Sequence, residues 1–506
     1  MVEAQKPQDS PEYASSGIAE LDEVLRGGFP RGRMCLVEGA PGSGKTTLAL
    51  QFLLEGAKQG EKVAYITFSE SVHELKQSAK SHGWSLDAIS IVDLTKIESE
   101  VGLDEQYTIL QPADMELSET STALLDEINK INPQRLVLDS LSELRMVARD
   151  QLRYRRRIIA LKHALSERGC TALFLDDQTG DASGDLLLQS IAHGVLQLSS
   201  EKAAHGGVHR QMRIAKMRGV AFAEGTHDYR IVTGGIRVFP RLVATTGTSS
   251  KSFTPGPGLA SGIKELDQLI GGSIPWGFGL MIVGPPGIGK SSLAAQFATA
   301  VARVGKKVCM YSFEEGVATL LNRCQSLGIG IAQYIETGQI ELQKIDPSRI
   351  SPGEITRGIS TCIERHHAGM VVIDSLNGYL QAMINDRSLV LSLHELLTHL
   401  NARGVITILV STQHGILDAE QTQFEATYLA DLVIVLRYFE AKGSVRQAIS
   451  ILKNRSAPHE RTIREFEVGK NGIRVGAPLR DFQGVLTGLP TFSGAADFLI
   501  RRVDEQ

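Results

Sequence analysis

Two eight-residue stretches decide how this chain is read: Gly39-Ala40-Pro41-Gly42-Ser43-Gly44-Lys45-Thr46 and Gly284-Pro285-Pro286-Gly287-Ile288-Gly289-Lys290-Ser291. Both fit G-x-x-x-x-G-K-[ST]. Each follows an apolar, strand-like run and opens a helical pattern, the context in which such a loop wraps a phosphate. The glycines let backbone N–H groups turn inward, and the N-terminus of the following helix adds partial positive charge. Candidate nucleotide-binding residues are therefore Gly39, Gly42, Ser43, Gly44, Lys45, Thr46 and Thr47, and in the second stretch Gly284, Gly287, Ile288, Gly289, Lys290, Ser291 and Ser292. Lys45 and Lys290 are the groups for the β- and γ-phosphates, and the hydroxyls of Thr46 and Ser291 are candidate ligands of Mg²⁺.

Working outward, the two stretches belong to a duplication. At an offset of 245, Gly17-Ile18-x-Glu20-Leu21-Asp22 falls on Gly262-Ile263-x-Glu265-Leu266-Asp267, and the register holds without gaps to Glu70 and Glu315. The first copy then carries ten more residues, after which Asp139 matches Asp374 and Gln178 matches Gln413. A period this long means two domains, not stacked short repeats. We expect a flexible N-terminus over 1–10, a first domain over 11–244, a Ser/Thr/Gly/Pro linker over 245–258, a second domain over 259–484 and a tail over 485–506. Within each copy, apolar runs alternate with helical patterns (Met34 to Glu38, Thr46 to Lys58, Lys62 to Phe68, Val72 to His82), which predicts an α/β fold with a mostly parallel sheet flanked by helices. Short strand-like segments such as Arg210 to Lys216, Tyr229 to Val232 and Ile236 to Phe239 add antiparallel strands at the end.

A magnesium site needs a carboxylate at the end of an apolar strand, expected beside the P-loop strand. Arg135-Leu136-Val137-Leu138-Asp139 and Met370-Val371-Val372-Ile373-Asp374 supply Asp139 and Asp374; the alternative is an Asp that only caps a turn. Hydrolysis or phosphoryl transfer also needs a group that orients or deprotonates the attacking oxygen. Glu314 and Glu315 end the strand after the second P-loop helix, where the first copy keeps Glu70 alone behind Ser69. As an alternative, these acids only stabilise a helix start.

Lys plus Arg number 53 and Asp plus Glu 57 among 506 residues, a net charge of −4, so overall charge does not attract a polyanion. Mean hydropathy is −0.04. No apolar run approaches the roughly 18 to 20 residues of a membrane helix, and Met1 to Pro7 lack the apolar stretch of a signal peptide, so a cytoplasmic protein without membrane association is expected. The five cysteines show no metal-binding spacing; Cys35, Cys170 and Cys309 lie in apolar runs and are read as buried reduced thiols.

With these residues in view, the chain resembles the RecA-like P-loop ATPases, and more closely the KaiC family of double-domain ATPases and autokinases, over about residues 10 to 485. The marks are the Gly-Ile-x-Glu-Leu-Asp opening of each copy, the Glu pair, and Lys216-Met217-Arg218 followed by Gly219. The resemblance implies tandem RecA-like P-loop NTPase domains and Mg·ATP bound between subunits of a homo-oligomer, a hexamer of two stacked rings. It further implies that Lys216 and Arg218, and Lys453 and Arg455 in the second ring, reach into a neighbour's nucleotide site. A first ring would hydrolyse ATP and a second would act as a serine/threonine autokinase, with Thr427 on the family's acceptor Ser and Tyr428 on its Thr. A phenol is the poorer acceptor, because its oxygen sits several ångströms further from the backbone. The result would be a ring-shaped signalling or timing switch. Ser69, Asn454 and the short tail Val485 to Gln506 depart from the family, and the tail puts the family's clock partners in doubt while leaving room for another regulatory protein.

The alternative is a RecA-like DNA-binding or repair ATPase, supported by Arg153-Tyr154-Arg155-Arg156-Arg157 with Arg145, Arg149 and Lys162. Against it, these residues fall on an amphipathic helical pattern, and the loop expected after the Cys170 to Leu175 strand carries Asp176, Asp177, Asp181 and Asp185, which would repel phosphates. Nucleic acid is therefore not the expected partner. A purely signalling use of bound nucleotide is a third reading, in which Gln178 and Gln413 would sense the γ-phosphate.

Overall fold

Apolar strands that end at glycine or aspartate, each followed by an amphipathic helix, build the same layered unit twice. The computed structural model describes residues 13–94, 112–147, 151–178, 182–202, 208–242, 258–347, 349–381, 386–412, 429–441, 443–485 and 491–492. The chain divides into two compact units, Met1–Arg241 and Leu242–Gln506. Almost all of the expected linker, both phosphoacceptor candidates and Gln413 lie outside the described residues.

In the first unit, β1 (Tyr13–Ala14), α1 (Ala19–Val24) and β2 (Phe29–Pro30) lead into β3 (Met34–Gly39), α2 (Lys45–Lys58), β4 (Val63–Thr67), α3 (Val72–Ser81) and β5 (Ser90–Asp93). Then come α4 (Pro112–Ile131), β6 (Arg135–Asp139), α5 (Leu141–Val147), α6 (Gln151–Glu167), β7 (Thr171–Asp177) and α7 (Ala182–Ile191), followed by β8 (Gly194–Lys202), β9 (Val208–Met217), β10 (Thr226–Val232) and β11 (Gly235–Phe239). The sheet order is β11-β10-β9-β8-β3-β7-β6-β4-β5. Strands β8, β3, β7, β6, β4 and β5 run parallel, and β9 to β11 add antiparallel strands.

The second unit repeats the plan. Its elements are α8 (Lys264–Ile270), β12 (Gly279–Gly284), α9 (Lys290–Arg303), β13 (Val308–Ser312), α10 (Val317–Ser326), α11 (Ala332–Glu336), β14 (Ile340–Lys344), α12 (Pro352–His366) and β15 (Met370–Asp374). They continue with α13 (Leu376–Gln381), α14 (Asp386–Ala402), β16 (Ile406–Thr412), β17 (Leu432–Ala441), β18 (Ser444–Asn454), β19 (Arg464–Gly469) and β20 (Gly472–Pro478) in the order β14-β13-β15-β16-β12-β17-β18-β19-β20. These are the two RecA-like α/β sheets expected from the sequence.

Each sheet is covered on both faces. Leu48, Phe52 and Leu53 of α2 bury one face of the first sheet, while Tyr154, Ile158, Leu161 and Leu165 of α6 bury the other. Arg135 is an exception inside this apolar layer. It is fully buried at the start of β6, bonded to Glu61, to the carbonyls of Ser15 and Phe52 and to Gln59, with its guanidinium 4.8 Å over the Phe52 ring. Met370 fills the matching place in the second unit. Burial raises Glu61, but Arg135 and Arg31 more than offset it and hold the carboxyl below its ordinary value. That contribution to stability is present above the unfolded pKa and is lost as pH falls through the lowered one. Removing one partner of such a pair strands a buried charge, so Glu61→Ala is expected to destabilise the first unit by roughly 3 kcal/mol, read as a shift of its transition in urea.

The cysteine reading is corrected at one position. Cys35 and Cys170 are buried free thiols, with burial pushing both up to about 12, and Cys324 is also free. Cys309, expected to be reduced, is joined to Cys362 by a disulfide between β13 and α12. The partners are 53 residues apart in sequence, and only the packing of α12 on the sheet brings them together.

Candidate functional site

Both P-loops connect the last residue of a central strand to the first turn of a buried helix: Gly39 to Lys45, and Gly284 to Lys290. Gly44 and Gly289 have φ of +96° and +101°. A Cβ there would also lie 2.7 Å from the Ile231 side chain, or 2.8 Å from that of Val468, so glycine is required by backbone and by space. Ser43 and Ile288 are fully buried under the loops, and Thr47 and Ser292 are buried one residue beyond the hydroxyls of Thr46 and Ser291.

Lys45 Nζ lies 2.8 Å from the carbonyl of Gly39 and 3.2 Å from that of Ala40; Lys290 Nζ lies 2.9 Å and 2.8 Å from those of Gly284 and Pro285. Each ammonium is thus held in the curve of its own loop. Thr46 Oγ1 is 3.3 Å from Asp139 Oδ2, and Ser291 bonds to Asp374. A hydroxyl and a carboxylate facing each other beside the loop form an oxygen donor set suited to a hard cation such as Mg²⁺. Burial raises both Asp139 and Asp374 from the ordinary aspartate value, against the lowering hydrogen bonds from Tyr65 and Ser291. A cation at the site would reverse that shift.

The expected adjacency of the magnesium strand to the P-loop strand is corrected. Between β3 and β6 lies β7, and between β12 and β15 lies β16. Sequence spacing cannot tell a neighbouring strand from one two places away. The consequence is that the ends of β7 and β16 also line the sites, with Gly39 opposite Asp177 and Gly284 opposite Thr412. Asp176 and Asp177 are therefore the last residues of a strand, not of a DNA-side loop. Asp176 is buried against Arg145, and Asp177 Oδ1 pairs with Lys45 Nζ at 2.6 Å.

The acid candidates follow β4 and β13 in matching turns. Thr67 Oγ1 donates to the carbonyl of Glu70 at 2.8 Å and Ser312 Oγ to that of Glu315 at 2.7 Å, while the N–H groups of Phe68 and Phe313 bond to the carbonyls of Asp139 and Asp374 at 2.7 Å. These bonds lash the acid-bearing turn to the magnesium strand. Burial raises Glu70, helped by Asp139. Burial also raises Glu315, although Arg323 lies 2.8 Å away. Glu314 accepts a hydrogen bond from Ser375, the residue after Asp374.

Lys216 and Arg218 sit elsewhere. Lys216 pairs with Val195 and Val195 with Leu36, three residues before Gly39, and Lys453 pairs with Val433 and Val433 with Met281, three residues before Gly284. Three strand residues span about 10 Å, so both Lys-x-Arg elements lie towards the end of the strand away from their own P-loop. Lys216 bonds to the carbonyl of Gln189 and Arg218 to that of Ser190; Lys453 bonds to the carbonyl of Ala430 and Arg455 to Asp431.

The arginine cluster is divided. Arg145 is on α5, paired with Asp176, while Arg153 to Arg157 are on α6, and Arg149 lies outside the described residues. Tyr154 is 3% exposed and packs in the core, so it offers no stacking surface to a base. Reading the sequence missed Tyr65, whose hydroxyl donates to Asp139 across β4 and β6. The available signal was its match, in the repeat, with Met310.

Two glycine loops with lysine, hydroxyl and carboxylate in repeated positions on RecA-like sheets define a tandem P-loop ATPase. The sequence profile of the family described as "ATPase: KaiC" matches residues 14–243 and again 259–480. Similar proteins include the circadian clock protein KaiC3 of Synechocystis sp., 25% identical over 507 residues, 97% of this chain and 96% of that one. The circadian clock oscillator proteins KaiC of Picosynechococcus sp. and of Thermosynechococcus vestitus are each 26% identical, covering 94% and 97% of this chain and 91% and 96% of their own lengths. The chain belongs to the KaiC ATPase family. No helix among the described residues is long and apolar enough to cross a membrane.

Proposed function

We propose that the chain is an ATP-hydrolysing protein that works as a homo-oligomeric ring, a hexamer, with Mg·ATP held between subunits and a second domain that phosphorylates itself. The observation that carries the assembly is the place of the two Lys-x-Arg elements, away from their own P-loops in both units. Burial and the neighbouring cations Arg218 and Lys162 lower Lys216, and burial and Arg455 lower Lys453. A polyphosphate brought against these cations by a second subunit would offset that repulsion, and cations supplied in trans make activity depend on assembly.

Within each site, Lys45 or Lys290 binds the phosphates, and Thr46 with Asp139, or Ser291 with Asp374, would hold Mg²⁺, whose chemistry when bound would be to neutralise charge on the transferred group. Glu70 orients water in the first domain. In the second, Glu314 with Glu315 takes the proton of a hydroxyl as its oxygen attacks the γ-phosphorus and the bond to the β-phosphate breaks, leaving ADP. Thr427 is the preferred acceptor and Tyr428 the lesser one. The ring would then act as a signalling or timing switch, read by a regulatory protein partner in the cytoplasm. The buried Tyr154 and the paired Arg145 disfavour the DNA-repair alternative.

The kinase step is tested by intact mass after incubation with Mg·ATP. The unmodified chain is expected to gain at least one phosphate, about 80 Da, and Thr427→Ala to gain less than a tenth as much while Tyr428→Phe still gains it. No gain in the unmodified chain, or an equal gain in Thr427→Ala, would remove the assignment.

A further inference from the structure

The two P-loop lysines have the same contacts with their own loops but differ at the strand end that faces each loop. Lys45 Nζ also meets Asp177 Oδ1 at 2.6 Å, and Asp177 Oδ2 lies 3.4 Å from Ser142 Oγ. Asp177 faces Gly39 across β3 and β7. At the same register position in the second unit, Gly284 faces Thr412, which carries no charge. A second difference points the same way: Tyr65 donates to Asp139, where the second unit places Met310, a residue with no hydrogen to give. In the first site, then, Asp177 pairs with the phosphate-binding cation and Tyr65 donates to the magnesium carboxylate, at positions that hold Thr412 and Met310 in the second.

We propose that Asp177 is a specificity-determining residue that tilts the first site towards nucleoside diphosphate and away from triphosphate. This rests on the first P-loop holding nucleotide. The P-loop lysine serves the β- and γ-phosphates. A diphosphate leaves the γ side of Lys45 to Asp177. A triphosphate must take that side of the ammonium and places its terminal charge against a carboxylate. At the same position of the second site Thr412 is neutral, and the carboxylates that act on Lys290, Asp374 and Glu314, come from β15 and from the turn after β13 rather than from the strand end facing the loop. The two sites of one chain therefore differ in nucleotide preference, with the triphosphate favoured where phosphoryl transfer to protein is proposed. About a third of the Asp177 side chain is exposed, so solvent and salt moderate the effect.

The test uses the full chain carrying Lys290→Ala, so that the first site reports. Affinities for Mg·ADP and for the Mg²⁺ complex of the β,γ-imido analogue of ATP are measured by calorimetry, with and without Asp177→Thr or Asp177→Asn. Both substitutions are expected to tighten the triphosphate analogue by about tenfold relative to ADP. ADP binding in the same samples reports that the variant is folded. Retained ADP binding with an unchanged or lowered preference for the triphosphate would overturn the role of Asp177 alone. Absence of any nucleotide binding, with Asp177 present or replaced, would overturn both this role and the nucleotide reading of the first P-loop.

Discussion

A chain carrying both Lys45→Ala and Lys290→Ala is expected to hydrolyse ATP at least about a hundredfold more slowly than the unmodified protein, a barrier rise of roughly 2.7 kcal/mol. Both lysines are only 7% exposed, with each ammonium within hydrogen-bond reach of two carbonyls of its own loop. A methyl group there removes the one full positive charge that the loop itself offers to the β- and γ-phosphates, at a site shielded from water, where such a charge acts most strongly. The single variants are expected to divide the loss, because each unit carries its own complete set. Phosphate release measured for both singles and the double checks this. A double variant that keeps more than a tenth of the activity would mean that neither P-loop is where ATP is broken down.

The second large effect concerns the cations supplied between subunits. With Lys290→Ala silencing the second unit, Arg218→Ala is expected to lower turnover about a thousandfold, while nucleotide affinity changes by less than about threefold, the pattern of a cation that acts on the transition state. Arg218 is remote along β3 from the P-loop of its own chain, so the loss is expected to be repaired in mixtures. Subunits with Arg218→Ala keep an intact Lys45, and subunits with Lys45→Ala keep an intact Arg218. At equal mixing, about a quarter of the interfaces in a cyclic assembly join one intact lysine to one intact arginine. About a quarter of the turnover should return, although each protein alone is inactive. No recovery in freely exchanging mixtures would place Arg218 in its own site or outside the reaction.

The P-loops were legible because their function is written in consecutive residues. Glycines at fixed spacing, then lysine and a hydroxyl, dictate a turn and a helix start with little help from the rest of the chain. The duplication was legible because 245 residues separate matching motifs without a gap over the whole first α/β segment, and the strands and helices alternate with apolar periodicity. Asp139 and Asp374 were recognised for the same reason, as the last residues of apolar strands.

Strand order, by contrast, is a property of the folded sheet. The sequence could not reveal that β7 separates β3 from β6, and so it assigned Asp177 to a DNA-repelling loop, when the sheet sets it against Lys45. Tyr65 reaches Asp139 across 74 residues of chain, and Cys309 meets Cys362 across 53. The sequence by itself determined the two phosphate loops, their helices and the repeat, since each depends on contacts between residues close along the chain. The tertiary structure alone decided which charges meet inside each site and how the two sites differ, since those contacts come from register and packing between segments far apart in sequence.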